Sequence, residues 1–242
     1  MIIRIKHPYS IYERGERDNQ EDCIFPSHNE ATKDNTFFIL CDGMGGHEKG
    51  EVASSIVCNV LSQYFRDNWN GLGFTDSMMF ESLNLALDKL EVLKNESSRP
   101  PGTTLTVLIF HKGGVFAAHV GDSRIYHIRP SEKRLLYKSR DHSQVYDMLA
   151  SGEISLRDVD NYKKKNIITR ALIPGQERRP KPSIAHITDV HEGDIFFMCS
   201  DGMLENMSDE VLVERLSSDK SDEEKRDISR SEERRVGKEC RS

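Results

Sequence analysis

The chain has 242 residues, enough for one domain with a sizeable core. Its net charge of −6, with 31% charged residues, argues against nucleic acid as the main partner, because phosphate-backbone binding needs a basic field. No apolar run approaches the roughly 20 residues of a membrane span, so no membrane contact is expected of this fragment. The five cysteines, Cys23, Cys41, Cys58, Cys199 and Cys240, lack zinc-type spacing. With no signal peptide, they predict small buried thiols in a reducing, cytoplasmic setting.

Ile3 and Ile5 alternate with Arg4 and Lys6, which predicts a strand over Met1 to Lys6. The next charged stretch places Arg17 shortly before Glu21-Asp22, a pattern that by itself reads as a solvated turn. Pro26 to Asn35 is a polar loop. Thr36 to Cys41 is then a short apolar strand delivering Asp42 into Gly43-Met44-Gly45-Gly46-His47. A carboxylate at the mouth of a buried strand is expensive to desolvate unless a cation meets it.

Glu51 to Trp69 predicts a helix with Val52, Ile56, Val57, Val60, Leu61, Tyr64 and Phe65 on one stripe. A second helix runs from about Ser77 to Lys94, and the two should pack as a hairpin against a sheet. Gly102-Thr103-Thr104 opens a strand from Leu105 to Phe110, His111 to Gly114 turns it, and Val115 to Val120 returns toward Asp122. Strands follow at Ile125 to Ile128 and Leu135 to Lys138, and Asp141-His142-Ser143 caps a short helix. Residues 143–165 are weakly apolar and read as an inserted subdomain. Ile184 to Val190 and Ile195 to Cys199 are strands, the second ending in Ser200-Asp201-Gly202. Ser208 caps a helix that reaches Leu216.

From Ser217 the sequence turns polar and loses apolar period, predicting disorder or a loose helix over 217–242. Residues 230–242 look like the translation of a sequencing-library adapter, so a natural chain interrupted before about residue 230 is expected.

Three carboxylates at strand ends, Asp42, Asp122 and Asp201, with Glu21-Asp22 as a further contribution, suggest one cation site. Hard oxygen donors without paired His or Cys select Mg²⁺ or Mn²⁺ over Zn²⁺. Two such ions about 3.5–4 Å apart would share a bridging hydroxide for in-line displacement. Arg17 is a candidate fork for phosphate oxygens. The set suits phosphate ester hydrolysis. No Walker A loop, EF-hand loop or Gly-x-Ser-x-Gly elbow competes with it. His47, His119 and His142 lie beside these motifs and read as structural.

In order along residues 10–216, Arg17-x-x-x-Glu21-Asp22, Asp42-Gly43-Met44-Gly45-Gly46, Gly102-Thr103-Thr104, His119-Val120-Gly121-Asp122-Ser123-Arg124, Asp141-His142-Ser143, Ile168 to Leu172 and Ser200-Asp201-Gly202 resemble the protein phosphatase 2C family of metal-dependent serine/threonine phosphatases, in its bacterial form. The resemblance implies an α+β fold, with two antiparallel sheets sandwiched between helix pairs, over a catalytic domain at residues 1–216. It implies hydrolysis of phosphoserine and phosphothreonine by a metal-bridging hydroxide, with Mn²⁺ or Mg²⁺ as two catalytic ions and a possible third. Arg17, Asp42 and Asp201 become the catalytic set. The metal ligands become Asp22, Asp42, the Gly43 carbonyl, Asp122 and Asp201, with Glu21 acting through water and Arg17 holding phosphate. Asp122 and Asp201 would form a weaker third site, and 143–165 would be a mobile flap. Substrates would be phosphorylated proteins from a cognate Ser/Thr kinase, and the chain a monomer.

Two features depart from the family. Met44 stands where many eukaryotic members carry a His proposed as general acid. No Asp-Asn-x-Thr strand, source of another metal ligand, follows Leu216. The competing expectations are a non-catalytic phosphoprotein-binding regulator on the same scaffold, or an inactive truncated fragment.

Overall fold

A computed structural model of the chain describes residues 3–14, 19–45, 49–95, 100–159, 162, 167–204 and 207–226. The larger of two antiparallel sheets has the order β1 (Asp22–Phe25), β2 (Phe37–Met44), β4 (Leu105–His111), β5 (Gly114–Val120) and β8 (Ser183–Ile187), with the two-residue β3 (Gly102–Thr103) pairing with the end of β2. The smaller sheet has the order β7 (Arg134–Lys138), β6 (Arg124–Arg129) and β9 (Ile195–Cys199).

The period of two along a strand sorts side chains between faces. In β2, Phe37, Ile39 and Cys41 face a core shared with helices α1 (Gly50–Asn68) and α2 (Asp76–Leu90), whereas Phe38 faces the other sheet. In β9, Phe196 and Met198 point into that inter-sheet core, and Phe197 and Cys199 point outward to α5 (Asp209–Leu216). The result is four layers: a helix hairpin, the large sheet, the small sheet and a helix. This is the expected α+β sandwich. On the small-sheet side the eight-residue α5 lies in the outer layer.

The α1 stripe is rotated from the expected one. Ala53, Val57, Cys58, Leu61 and Phe65 are buried, while Val52 is exposed. Small residues let α1 approach the sheet closely, so the buried line runs through Ala53 rather than Val52. Truncating Leu61 or Phe65 to Ala should cost about 2–5 kcal/mol. Thr75 caps α2 by accepting the Met78 N–H, and Ser208 caps α5 by accepting the Val211 N–H. α3 (Gln144–Ser151) begins the 143–165 segment as expected, and a 3-10 turn at Leu156–Asp158 follows it.

Several boundaries differ from the expectations: β8 ends at Ile187 rather than Val190, and α2 ends at Leu90 with a 3-10 turn over Glu91–Leu93. Residues 3–6 form no strand, because no neighbouring strand pairs with them; Ile3 instead packs beside the inter-sheet core. β2 runs two residues beyond Asp42, because Gly43 and Met44 pair with Thr103 and Gly102. Beyond Leu216, Ser217 is buried, residues 222–226 are helical, and the Arg226 guanidinium lies over the Tyr9 ring. The expectations for residues 227–242, the adapter-like stretch included, lie outside the described residues.

Candidate metal centre

Asp22 and Asp42 are cross-strand partners in β1 and β2, so their side chains share one face. That face carries Phe38 and looks into the inter-sheet space. Asp122 follows β5 in the turn that carries the chain from the large sheet to the small one. Asp201 follows β9 and opens a single helical turn, α4 (Asp201–Leu204). The Ser200 hydroxyl donates to Asp22 Oδ2 at 3.3 Å and links the two sheets. Four of the expected ligands therefore meet at one open end of the sandwich.

Backbone and hydroxyl contacts fix Asp42. Its N–H donates to Thr104 Oγ1 at 3.0 Å, and its carbonyl accepts from Thr104 N–H at 2.9 Å and Thr103 Oγ1 at 3.0 Å. Thr104 Oγ1 is 2.8 Å from Ser123 Oγ, which ties the Asp42 strand to the Asp122 turn. These hydroxyls satisfy polar groups that the sheet ladder leaves over. The sequence marks Gly102-Thr103-Thr104 as a motif, but its role in holding Asp42 depends on a long-range strand pairing that local pattern does not encode.

Gly43 shows why no side chain fits beside Asp42. A Cβ there would lie 2.3 Å from the Gly50 carbonyl oxygen and 2.6 Å from that of Glu21. Gly43 N–H donates to the Glu21 carbonyl at 3.1 Å, and Ser54 Oγ donates to the same oxygen at 2.6 Å. The Glu21 carboxyl sits against Gly50, the first residue of α1, where a Cβ would come within 2.9 Å of it. A helix N-terminus favours negative charge there. Glu21 thus meets Gly43 and Ser54 through its carbonyl and the start of α1 through its carboxyl.

The electrostatics show like charges forced together. Burial first, then the carboxylates of Asp22, Asp201 and Asp122, push Asp42 up to about 8. A hydrogen bond between the Asp42 and Asp22 carboxyls, which needs a proton between them, adds to the rise. Burial, with Asp201 and Asp141, raises Asp122 to about 6, against opposing pulls from its own backbone N–H and from Arg124. Arg124 is itself engaged in a fork with Asp141, at 2.7 Å for both Nε and Nη2. Such a set of oxygen donors fits a hard divalent cation, which would replace the shared proton. Among the described residues no three His, Cys, Asp or Glu side chains gather closely enough to hold an ion alone.

The remaining expectations fall unevenly. Arg17 and His47 lie outside the described residues. Met44 pairs with Gly102 in β3 and offers no proton. His142 and His119 are buried and stack with ring centroids 4.6 Å apart, with the planes 6° from parallel. Burial first, then His119, Arg170 and Arg140, holds His142 down to about 3, so its ring is neutral. Cys23, Cys41, Cys58 and Cys199 are free thiols.

The family model for protein phosphatase 2C matches residues 16–222. The chain belongs to the protein phosphatase 2C family. It is 34% identical over 212 residues to the serine/threonine phosphatase stp of Listeria welshimeri, covering 83% of this chain and 82% of that one. The fold resembles the crystal structure of the serine/threonine phosphatase PstP/Ppp of Mycobacterium tuberculosis, with a TM-score of 0.75 and 27% identity over 91% of this chain and 88% of that one. It also resembles the catalytic domain of the serine threonine protein phosphatase PstP in complex with two manganese ions, with a TM-score of 0.71 and 28% identity over 91% and 87% of the chains. No described helix is long and apolar enough to cross a membrane.

Proposed function

We propose that this protein phosphatase 2C member is a metal-dependent protein serine/threonine phosphatase acting on phosphoproteins made by Ser/Thr kinases. The observation that carries this reading is Asp42, half-buried at the open end of the sandwich with Asp22 opposite it and Asp122 and Asp201 close enough to raise its pKa. Two divalent ions, Mn²⁺ or Mg²⁺, would supply an activated water and neutralise phosphate oxygens. Asp42, Asp22, the Gly43 carbonyl and Asp201 would hold them, with Asp122 and Asp201 available for a third. Glu21 would brace the Gly43 carbonyl through the contact of its own backbone with Gly43 N–H. Arg17 would grip the phosphate as a planar fork. The name of the Listeria relative and the manganese-bound PstP structure both support the reading.

The test is hydrolysis of p-nitrophenyl phosphate and of a phosphothreonine peptide by the full chain. Turnover is expected with Mn²⁺, with loss in EDTA and in Asp42→Ala. Peptide binding that survives EDTA without turnover would favour a non-catalytic phosphoprotein-binding regulator instead.

A further inference from the structure

His142 holds the turn that carries Asp122 by two reciprocal bonds. Gly121 N–H donates to His142 Nδ1 at 3.1 Å, and His142 N–H donates to the Gly121 carbonyl at 2.9 Å. Because Nδ1 accepts from a backbone N–H, a neutral ring carries its proton on Nε2, which lies 2.9 Å from Ser183 Oγ and 3.2 Å from Arg170 Nη1. His119 lies flat against the ring and donates from Nε2 to the Arg140 carbonyl at 2.8 Å. The His142 carbonyl accepts from Thr169 N–H at 2.9 Å, beside the Ser143–Ile168 bridge and the Gln144 N–H to Ile167 carbonyl bond of 2.8 Å. His142 therefore sits at the neck of the 143–165 segment, where its ring has one place to be.

Gly121 cannot relax away from this grip. Its φ is +107°, a region that favours glycine, and a Cβ there would lie 2.7 Å from Thr104 Cγ2. Thr104 is the residue that receives the Asp42 N–H. One line of contact thus runs from His142 through Gly121 to Thr104 and Asp42, with Asp122 the next residue along the chain.

We propose that His142 is a positioning residue, whose neutral Nδ1 acts as the acceptor that fixes the Gly121-Asp122 turn in the geometry a divalent ion requires. This rests on reading the carboxylate cluster as a divalent-ion site. The ring touches neither substrate nor ion; it acts through the Gly121 amide. The partner of a ligand commonly sets affinity in this way, with removal weakening the metal about 10–100-fold.

Two substitutions separate the ring's nitrogens. In His142→Asn the amide oxygen falls where Nδ1 is and keeps the acceptor for Gly121. In His142→Gln the amide reaches the Nε2 position and keeps the bond to Ser183 instead. Calorimetric titration of the full chain with Mn²⁺, using Asp122→Asn to mark the Asp122-dependent binding event, reads the difference. We expect about tenfold weaker binding at that event in His142→Gln and less than about threefold in His142→Asn. In p-nitrophenyl phosphate hydrolysis the Gln variant should need more Mn²⁺ yet recover kcat at saturation. Equal behaviour of the two variants, or unchanged Mn²⁺ affinity in both, overturns the proposal. A wild type that binds no Mn²⁺ overturns the divalent-ion reading itself. Hydrogen exchange on the wild type answers even where the Gln variant does not fold. In EDTA the Gly121 amide should already exchange as slowly as the amides of β5, and fast exchange there contradicts a turn held by His142.

Discussion

The two ends of the small sheet treat aspartate in opposite ways. Asp194 enters β9 and Asp201 leaves it; β6 begins two residues after Asp122 and ends in Arg129. At the Arg129 end, Asp194 accepts from Arg129 Nε at 2.9 Å, His127 Nε2 at 2.8 Å and His191 N–H at 2.8 Å. Burial pushes its carboxyl up, but Arg129, the His191 amide and His127 outweigh this and bring it down to about 2. At the other end, where Asp122 and Asp201 meet the Asp42 end of β2 in the large sheet, burial and neighbouring carboxylates raise Asp122 to about 6 and Asp42 to about 8. The first cluster is neutralised by the chain itself and serves the fold. The second concentrates negative charge that a ligand from outside must offset, which is a property of a binding site.

Breaking this contrast should give effects of different kinds. The largest is on turnover: Asp42→Ala should lower kcat for p-nitrophenyl phosphate by at least ~10³-fold, the scale of losing a main electrostatic stabiliser. Asp194→Ala should leave kcat per folded molecule unchanged. It should instead lower stability by about 3–5 kcal/mol in urea melts, because Arg129 and His127 lose their buried partner. The pH dependence follows from the depressed Asp194 carboxyl. Its contribution is present above the unfolded value near 4 and is lost as pH falls toward about 2. The gap in urea midpoint between wild type and Asp194→Asn should therefore narrow over that window, whereas a constant gap would contradict this account of Asp194. Thr104→Val is the mildest change. It removes the acceptor for the Asp42 N–H, and should cost about 1–2 kcal/mol in stability and raise the Mn²⁺ concentration needed for half-maximal activity.

Both clusters contain aspartates beside strand ends, yet only one was legible in the sequence as a site. Asp42, Asp122 and Asp201 stood out because each follows an apolar strand and sits beside glycine, and their family-like order gave the fold as well. β2 and β9 were readable as short apolar runs, and the α1–α2 hairpin from helical period. In sequence, Glu192-Gly193-Asp194 is only a tight turn, because the partners of Asp194, Arg129 and His127, are 65 and 67 positions away in the chain. The same distance problem hid the clamp of His142 on Gly121. The missing strand at residues 3–6 and the rotated α1 stripe have a related cause: alternation and helical period describe a side chain's direction, not whether a neighbour arrives.

The most direct measurement is the melting temperature of wild type and Asp42→Asn, in EDTA and across a Mn²⁺ titration. The account predicts that the wild type melts lower than the variant in EDTA, because repulsion at the open end is relieved by the substitution, and that Mn²⁺ raises the wild type well above it. Equal shifts with Mn²⁺ in both proteins, or no shift in the wild type, would contradict the claim that these carboxylates are built to hold divalent ions.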